Sequence, residues 1–103
     1  MHFEVRFADF LKILSKHPDR VPVIVEKSEG SMMPDLDKPK YFVPATLTVS
    51  AFIYTIRVRL NLAEEKDLSF LIKKKVITDI SNTMETIYSE YEDEDGFLYI
   101  AYS

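Results

Sequence analysis

Every position of the segment Phe97-Leu98-Tyr99-Ile100-Ala101-Tyr102 carries an apolar or aromatic side chain. A strand points successive side chains to opposite faces, so this one has no polar face to offer water. It belongs inside a sheet, with a partner on each edge and cover on both faces. A chain of 103 residues has room for one core of that kind. The other elements must therefore supply the neighbours and the cover.

Phe3, Phe7, Phe10, Leu11 and Leu14 recur at helical spacing and predict an amphipathic helix over 3–15. Asp9 and Ile13 lie with Val5 on a second face of it. Pro18 disfavours helical geometry at His17 and ends the helix near Lys16. Val21 to Lys27 is rich in β-branched residues and short, which predicts a strand, with Pro22 tolerated at its start. Ser28 to Asp37 contains Gly30, Pro34 and two aspartates and is the connecting loop. Lys40 to Val43, closed by Pro44, is a second strand and forms a hairpin with the first.

Thr48 is an N-cap for a helix whose buried face is Val49, Phe52, Ile53, Ile56 and Leu60. Leu68 to Ile72 predicts a third strand. Asn82 or Thr83 opens a short helix with Met84, Ile87, Tyr88 and Tyr91 on one side. The order helix, β, β, α, β, α, β describes an α+β fold. It is the β-grasp arrangement of ubiquitin over 21–103, with a mixed four-stranded sheet and an added N-terminal helix. Lys40 to Val43 is expected at a sheet edge. No internal repeat or domain boundary interrupts residues 1–103, so a single domain is expected.

The residues offer little catalytic chemistry. His2 and His17 sit at opposite ends of the first helix, and no nucleophile elbow, phosphate loop or metal signature surrounds any candidate residue. Glu64-Glu65 and the acids of Glu90 to Asp95 are read as solvated clusters with ordinary ionisation. With no cysteine there is neither a disulfide, a thiolate zinc site nor a thiol nucleophile. A net charge of −4 disfavours nucleic acid as a partner. Lys73-Lys74-Lys75 is a basic run read as a solvated loop. No apolar run reaches the ~20 residues that span a bilayer. The expectation is a binding protein, not an enzyme, working without a cofactor.

Several strings carry a resemblance. Pro18 to Lys27, Asp35-Leu36-Asp37-Lys38, Lys40-Tyr41-Phe42-Val43-Pro44 and Phe97 to Ser103 are similar to the family of the GABA type A receptor-associated protein and the microtubule-associated light-chain proteins. These are ubiquitin-like autophagy modifiers. The resemblance implies binding of short aromatic-x-x-aliphatic motifs of cargo receptors and autophagy factors, added as a strand at Lys40 to Pro44. It implies an aromatic pocket at Asp9, Ile13, Pro22, Ile24, Lys40, Phe42 and Phe97. It implies an aliphatic pocket at Tyr41, Val43, Pro44, Leu47, Phe52 and Ile56. Arg20, Lys38 and Arg59 match positions that meet peptide acids. From the residues alone, core packing is the favoured reading of every apolar member of these sets, and only the resemblance raises the groove.

The resemblance also implies a cytoplasmic protein recruited to autophagosomal membranes, where a C-terminal glycine becomes joined to a phospholipid. That glycine would have to follow Ser103. The family's short helix ahead of Phe3 is likewise absent from residues 1–103. Thr55 replaces a large aliphatic of the family, Gly96 replaces a bulky aromatic, and Lys73-Lys74-Lys75 is one residue longer than the usual turn. A non-lipidated trafficking or cytoskeletal adaptor using the same groove is the alternative reading.

Overall fold

The computed structural model describes residues 19–103. The helix expected over 3–15, with both histidines, lies outside the described residues. Five strands form one mixed sheet in the order β2-β1-β5-β3-β4. They are β1 (Arg20–Lys27), β2 (Lys40–Pro44), β3 (Phe70–Ile72), β4 (Lys75–Val76) and β5 (Leu98–Tyr102). Two helices, α1 (Val49–Leu60) and α2 (Met84–Tyr91), complete the described elements.

The all-apolar strand sits where its composition places it. β5 runs parallel to β1 and antiparallel to β3, and Leu98, Ile100 and Tyr102 are almost completely buried. β1 is the other interior strand. Val21, Val23 and Val25 point into the core under α1, while Pro22 and Ile24 are buried on the opposite face. Pro22 is the third residue of β1, yet it removes no ladder bond. It faces Phe42 across a pair that exchanges none, and pairing with β5 starts only at Val23.

α1 begins where Thr48 accepts a hydrogen bond from the Ala51 N–H at 3.1 Å. It buries Val49, Phe52, Ile56 and Leu60, with Ile53 only half-buried, and closes at Asn61 in the left-handed conformation (φ 55°). The Phe52 ring packs edge-on against Tyr41 and Phe70, with centroids 5.7 and 5.5 Å away. Thr83 caps α2 through the Thr86 N–H. Met84 and Ile87 are buried, but Tyr91, expected on the same side, is largely exposed in the last turn.

Three local readings change. The sheet has five strands where four were expected, because the lysine run doubles back: Leu71 pairs with Val76 and Ile72 with Lys75. A strand of two residues has no periodicity to read. Lys73 (φ 51°) and Lys74 (φ 69°) form the hairpin turn, and β3 starts at Phe70 instead of Leu68. The acidic cluster is not wholly solvated. Asp95 is buried, and its carboxylate accepts hydrogen bonds from the Phe97 N–H and the Tyr99 hydroxyl. Gly96 adopts φ 86°, a conformation that a bulky aromatic reaches only with strain.

Candidate functional site: the open edge of strand β2

Among the described residues, β2 pairs with β1 alone and borders the sheet. Its side chains alternate. Tyr41 and Val43 turn into the core, and Lys40 and Phe42 turn to the other face, where both are half-buried. The register sets Phe42 directly opposite Pro22, and Lys40 opposite Ile24. The Phe97 ring joins them, 6.4 Å from the Phe42 ring, with Lys40 Nζ 6.0 Å from its centroid. Pro22, Ile24, Lys40, Phe42 and Phe97 therefore converge on one face of the edge. Phe97 and Pro22 are fully buried and form its floor, while Lys40 and Phe42 reach the surface. Asp9 and Ile13 lie outside the described residues.

The second set gathers on the opposite face. Phe52 and Ile56 are completely buried and belong to the core beneath, with Tyr41 (7% exposed) and Val43 (8%) just above them. Pro44 is exposed and Leu47 half-buried, so these two carry the set to the surface. Thr55 turns its hydroxyl back on its own helix, donating to Ala51 O at 3.0 Å, so its polarity is satisfied locally.

The three cationic residues divide between the ends of the strand. Lys38 Nζ and the Arg59 guanidinium lie 5.5 and 5.7 Å from the centre of the Tyr41 ring, within cation–π range. Arg59 also holds both carboxylate oxygens of Asp37, at 3.2 and 3.3 Å. Among the described residues the buried Tyr41 hydroxyl has no hydrogen-bond partner of good geometry, and burial pushes its ionisation above the ordinary value, partly opposed by Arg59. Arg20 stands at the other end and donates from Nη1 to the Phe42 carbonyl at 3.0 Å. Asp37 was not singled out from the sequence as a site residue. Its partner is 22 positions away, a separation that leaves no periodic signal.

Elsewhere the described residues hold no His, Cys, Asp or Glu grouping suited to a metal ion. None of their helices is long and apolar enough to cross a membrane. A cleft of about 440 Å³ opens at the Pro44 end of the edge, between Arg20, Pro22, Thr46, Glu85 and Tyr88.

Two strands, a helix packed across one face, and a last strand inserted beside the first define a ubiquitin-like protein, here with an open edge flanked by apolar residues on both faces. Residues 5–103 match the profile of the family described as autophagy protein Atg8, ubiquitin like. The chain is 48% identical over 100 residues to autophagy-related protein 8d of Arabidopsis thaliana, covering 97% of this chain and 82% of that protein. Autophagy-related protein 8 of Mycosarcoma maydis is 48% identical over 101 residues, covering 98% and 85%. The crystal structure of Trypanosoma brucei ATG8 superposes with a TM-score of 0.94 at 43% identity, covering the whole of this chain and 88% of that one. The chain belongs to the Atg8 family of ubiquitin-like autophagy proteins.

Proposed function

We propose that this autophagy modifier works as a non-catalytic adaptor. It takes aromatic-x-x-aliphatic segments of cargo receptors and autophagy factors onto the edge of β2. The observation that carries this reading is the placement of two residue sets on opposite faces of one unshared strand. In an added strand, residues i and i+3 point to opposite faces, because side chains alternate with period two. An aromatic residue therefore meets the Pro22, Ile24, Lys40, Phe42 and Phe97 side, while the aliphatic residue three positions later meets Tyr41, Val43, Pro44 and Leu47. Backbone bonds to β2 supply affinity, the two sides supply specificity, and Lys38, Arg59 and Arg20 attract acids beside the motif.

Phe52 and Ile56 act from below in this reading, holding Tyr41 and Val43 in place. Membrane recruitment follows wherever a glycine tail beyond Ser103 is joined to a phospholipid, with the adaptor otherwise in the cytoplasm. Titration with an acidic-aromatic-x-x-aliphatic peptide is expected to give micromolar affinity, about −7 to −8 kcal/mol. In the same titration the amide resonances of Lys40 and Phe42 should move most. The Leu47→Ala variant should weaken binding while leaving the circular dichroism unchanged. A peptide that binds without shifting those two amides would place the site elsewhere.

A further inference from the structure

The register leaves the backbone groups of Phe42 on the outer side of β2. The Val25 N–H donates to Pro39 O at 2.7 Å and the Ala45 N–H to Asp19 O at 2.9 Å. Bond-exchanging pairs alternate along an antiparallel ladder, so Val23 with Tyr41 and Val21 with Val43 are in the same phase. Lys40 and Phe42 fall in the other phase and turn their N–H and C=O away from β1. Pro22, opposite Phe42, has no N–H to contribute, in agreement with that phase.

The outward carbonyl of Phe42 is nonetheless occupied. Arg20 pairs with Pro44 in the register, and its side chain reaches along the diagonal to place Nη1 3.0 Å from Phe42 O. Lys27 holds Asp35 at 2.7 Å and Arg59 holds Asp37 at 3.2 Å, whereas Arg20 makes no ion pair among the described residues. Its acceptor is a neutral carbonyl at an exposed position.

We propose that Arg20 is a guard on this edge, covering the carbonyl an added strand must reach until a carboxylate of the ligand draws it away. The proposal rests on the peptide-groove reading and deepens it by assigning Arg20 as the residue that makes the edge selective for acidic segments. A guanidinium can hold a carboxylate with two parallel bonds between opposite charges, whereas Arg20 gives the neutral Phe42 carbonyl one bond from Nη1. An acidic peptide therefore gives Arg20 a better partner and frees the Phe42 carbonyl for its own N–H. A peptide without acids must break the Arg20 bond with only water to replace it, or crowd its own N–H against the guanidinium on the same carbonyl oxygen. Selectivity then comes from two linked events, displacement and strand addition, beyond charge attraction alone. In the absence of ligand, the same contact shields the edge from indiscriminate pairing, as charged side chains on edge strands do.

The test compares two peptides by calorimetry, one with acids beside the motif and one with those acids replaced by Gln or Asn. Each is titrated into the parent protein and into Arg20→Ala. Arg20 is exposed, so its truncation leaves the core intact. The guard predicts opposite signs: Arg20→Ala weakens the acidic peptide by about tenfold and tightens the acid-free peptide by about threefold to fivefold. A simple charge contact predicts weakening of the first and no change in the second, and that result would overturn the proposal. A second readout needs no peptide. The carbonyl carbon resonance of Phe42 should shift between the ligand-free parent and Arg20→Ala. An unchanged resonance removes the guard while leaving the groove intact. Failure of the parent to bind either peptide removes the groove reading, and the guard's role in selectivity with it, whatever the carbonyl resonance does.

Discussion

The hydroxyl of Tyr102 donates a 2.8 Å hydrogen bond to the carbonyl of Pro34, joining the end of interior strand β5 to the loop between β1 and β2. The residues are 68 positions apart, and the Tyr102 ring is fully buried. Tyr102→Phe keeps the ring packing and deletes this one bond. Pro34 is exposed, so water can replace the lost donor. The expected loss is about 1 kcal/mol, read in calorimetry as a fall in Tm of about 4–8 °C for a domain of this size. An unchanged Tm would mean that the loop is held by its other contacts.

The β3–β4 hairpin has the opposite potential. Two-residue hairpin turns with both central residues at positive φ favour Asn-Gly, because a side chain on an L-residue there is strained. This chain places Lys73 and Lys74 at those positions, with Lys75 following. Replacing the pair by Asn-Gly should raise stability by about 1 kcal/mol, through relief of strain and of repulsion among adjacent cations. Urea unfolding should show a higher midpoint with an unchanged slope. A lower midpoint would show that the lysines contribute to packing of the turn.

Alkaline pH should unfold the protein partly through Tyr88. Its hydroxyl donates to Gly96 O at 2.7 Å, and its ionisation is pushed well above the ordinary value, first by burial and then by the carboxylate of Glu92. The unfolded chain loses this proton near pH 10, whereas the folded chain holds it to higher pH. The raised folded value means that the stability contribution is complete below about pH 10 and falls as pH rises through the folded value. Tyr41, raised mainly by burial, adds to the same slope. Tyr88→Phe should flatten the fall in Tm above about pH 10. A slope identical to that of the parent would remove Tyr88 from the transition.

What could be read in advance came from local rules. Thr48 announces its helix, and Asn82 or Thr83 the second, where Thr83 proved to be the cap, because a polar side chain at an N-cap satisfies an otherwise unbonded N–H whatever the remainder of the chain does. The interior place of β5 follows from its having no polar face to offer water. The residues of the candidate site were named chiefly through resemblance. Their own pattern did not distinguish Phe52, fully buried beneath the edge, from Leu47, which reaches the surface.

Sequence by itself therefore determined the order and type of most described elements, because capping, periodicity and turn chemistry act within a few residues. Tertiary structure alone decided the depth of each side chain and every long-range polar contact. Asp95 reads in sequence as one more solvated acid, and although its partners, the Phe97 N–H and Tyr99 hydroxyl, are close neighbours in the chain, its burial was decided by packing. Arg59 found Asp37, and Arg20 found the Phe42 carbonyl, each across 22 positions. Such pairs depend on strand register and on the path of the chain between them. The physical reason is that a hydrogen bond requires its atoms within about 3 Å, and nothing in local spacing specifies that distance between residues so far apart.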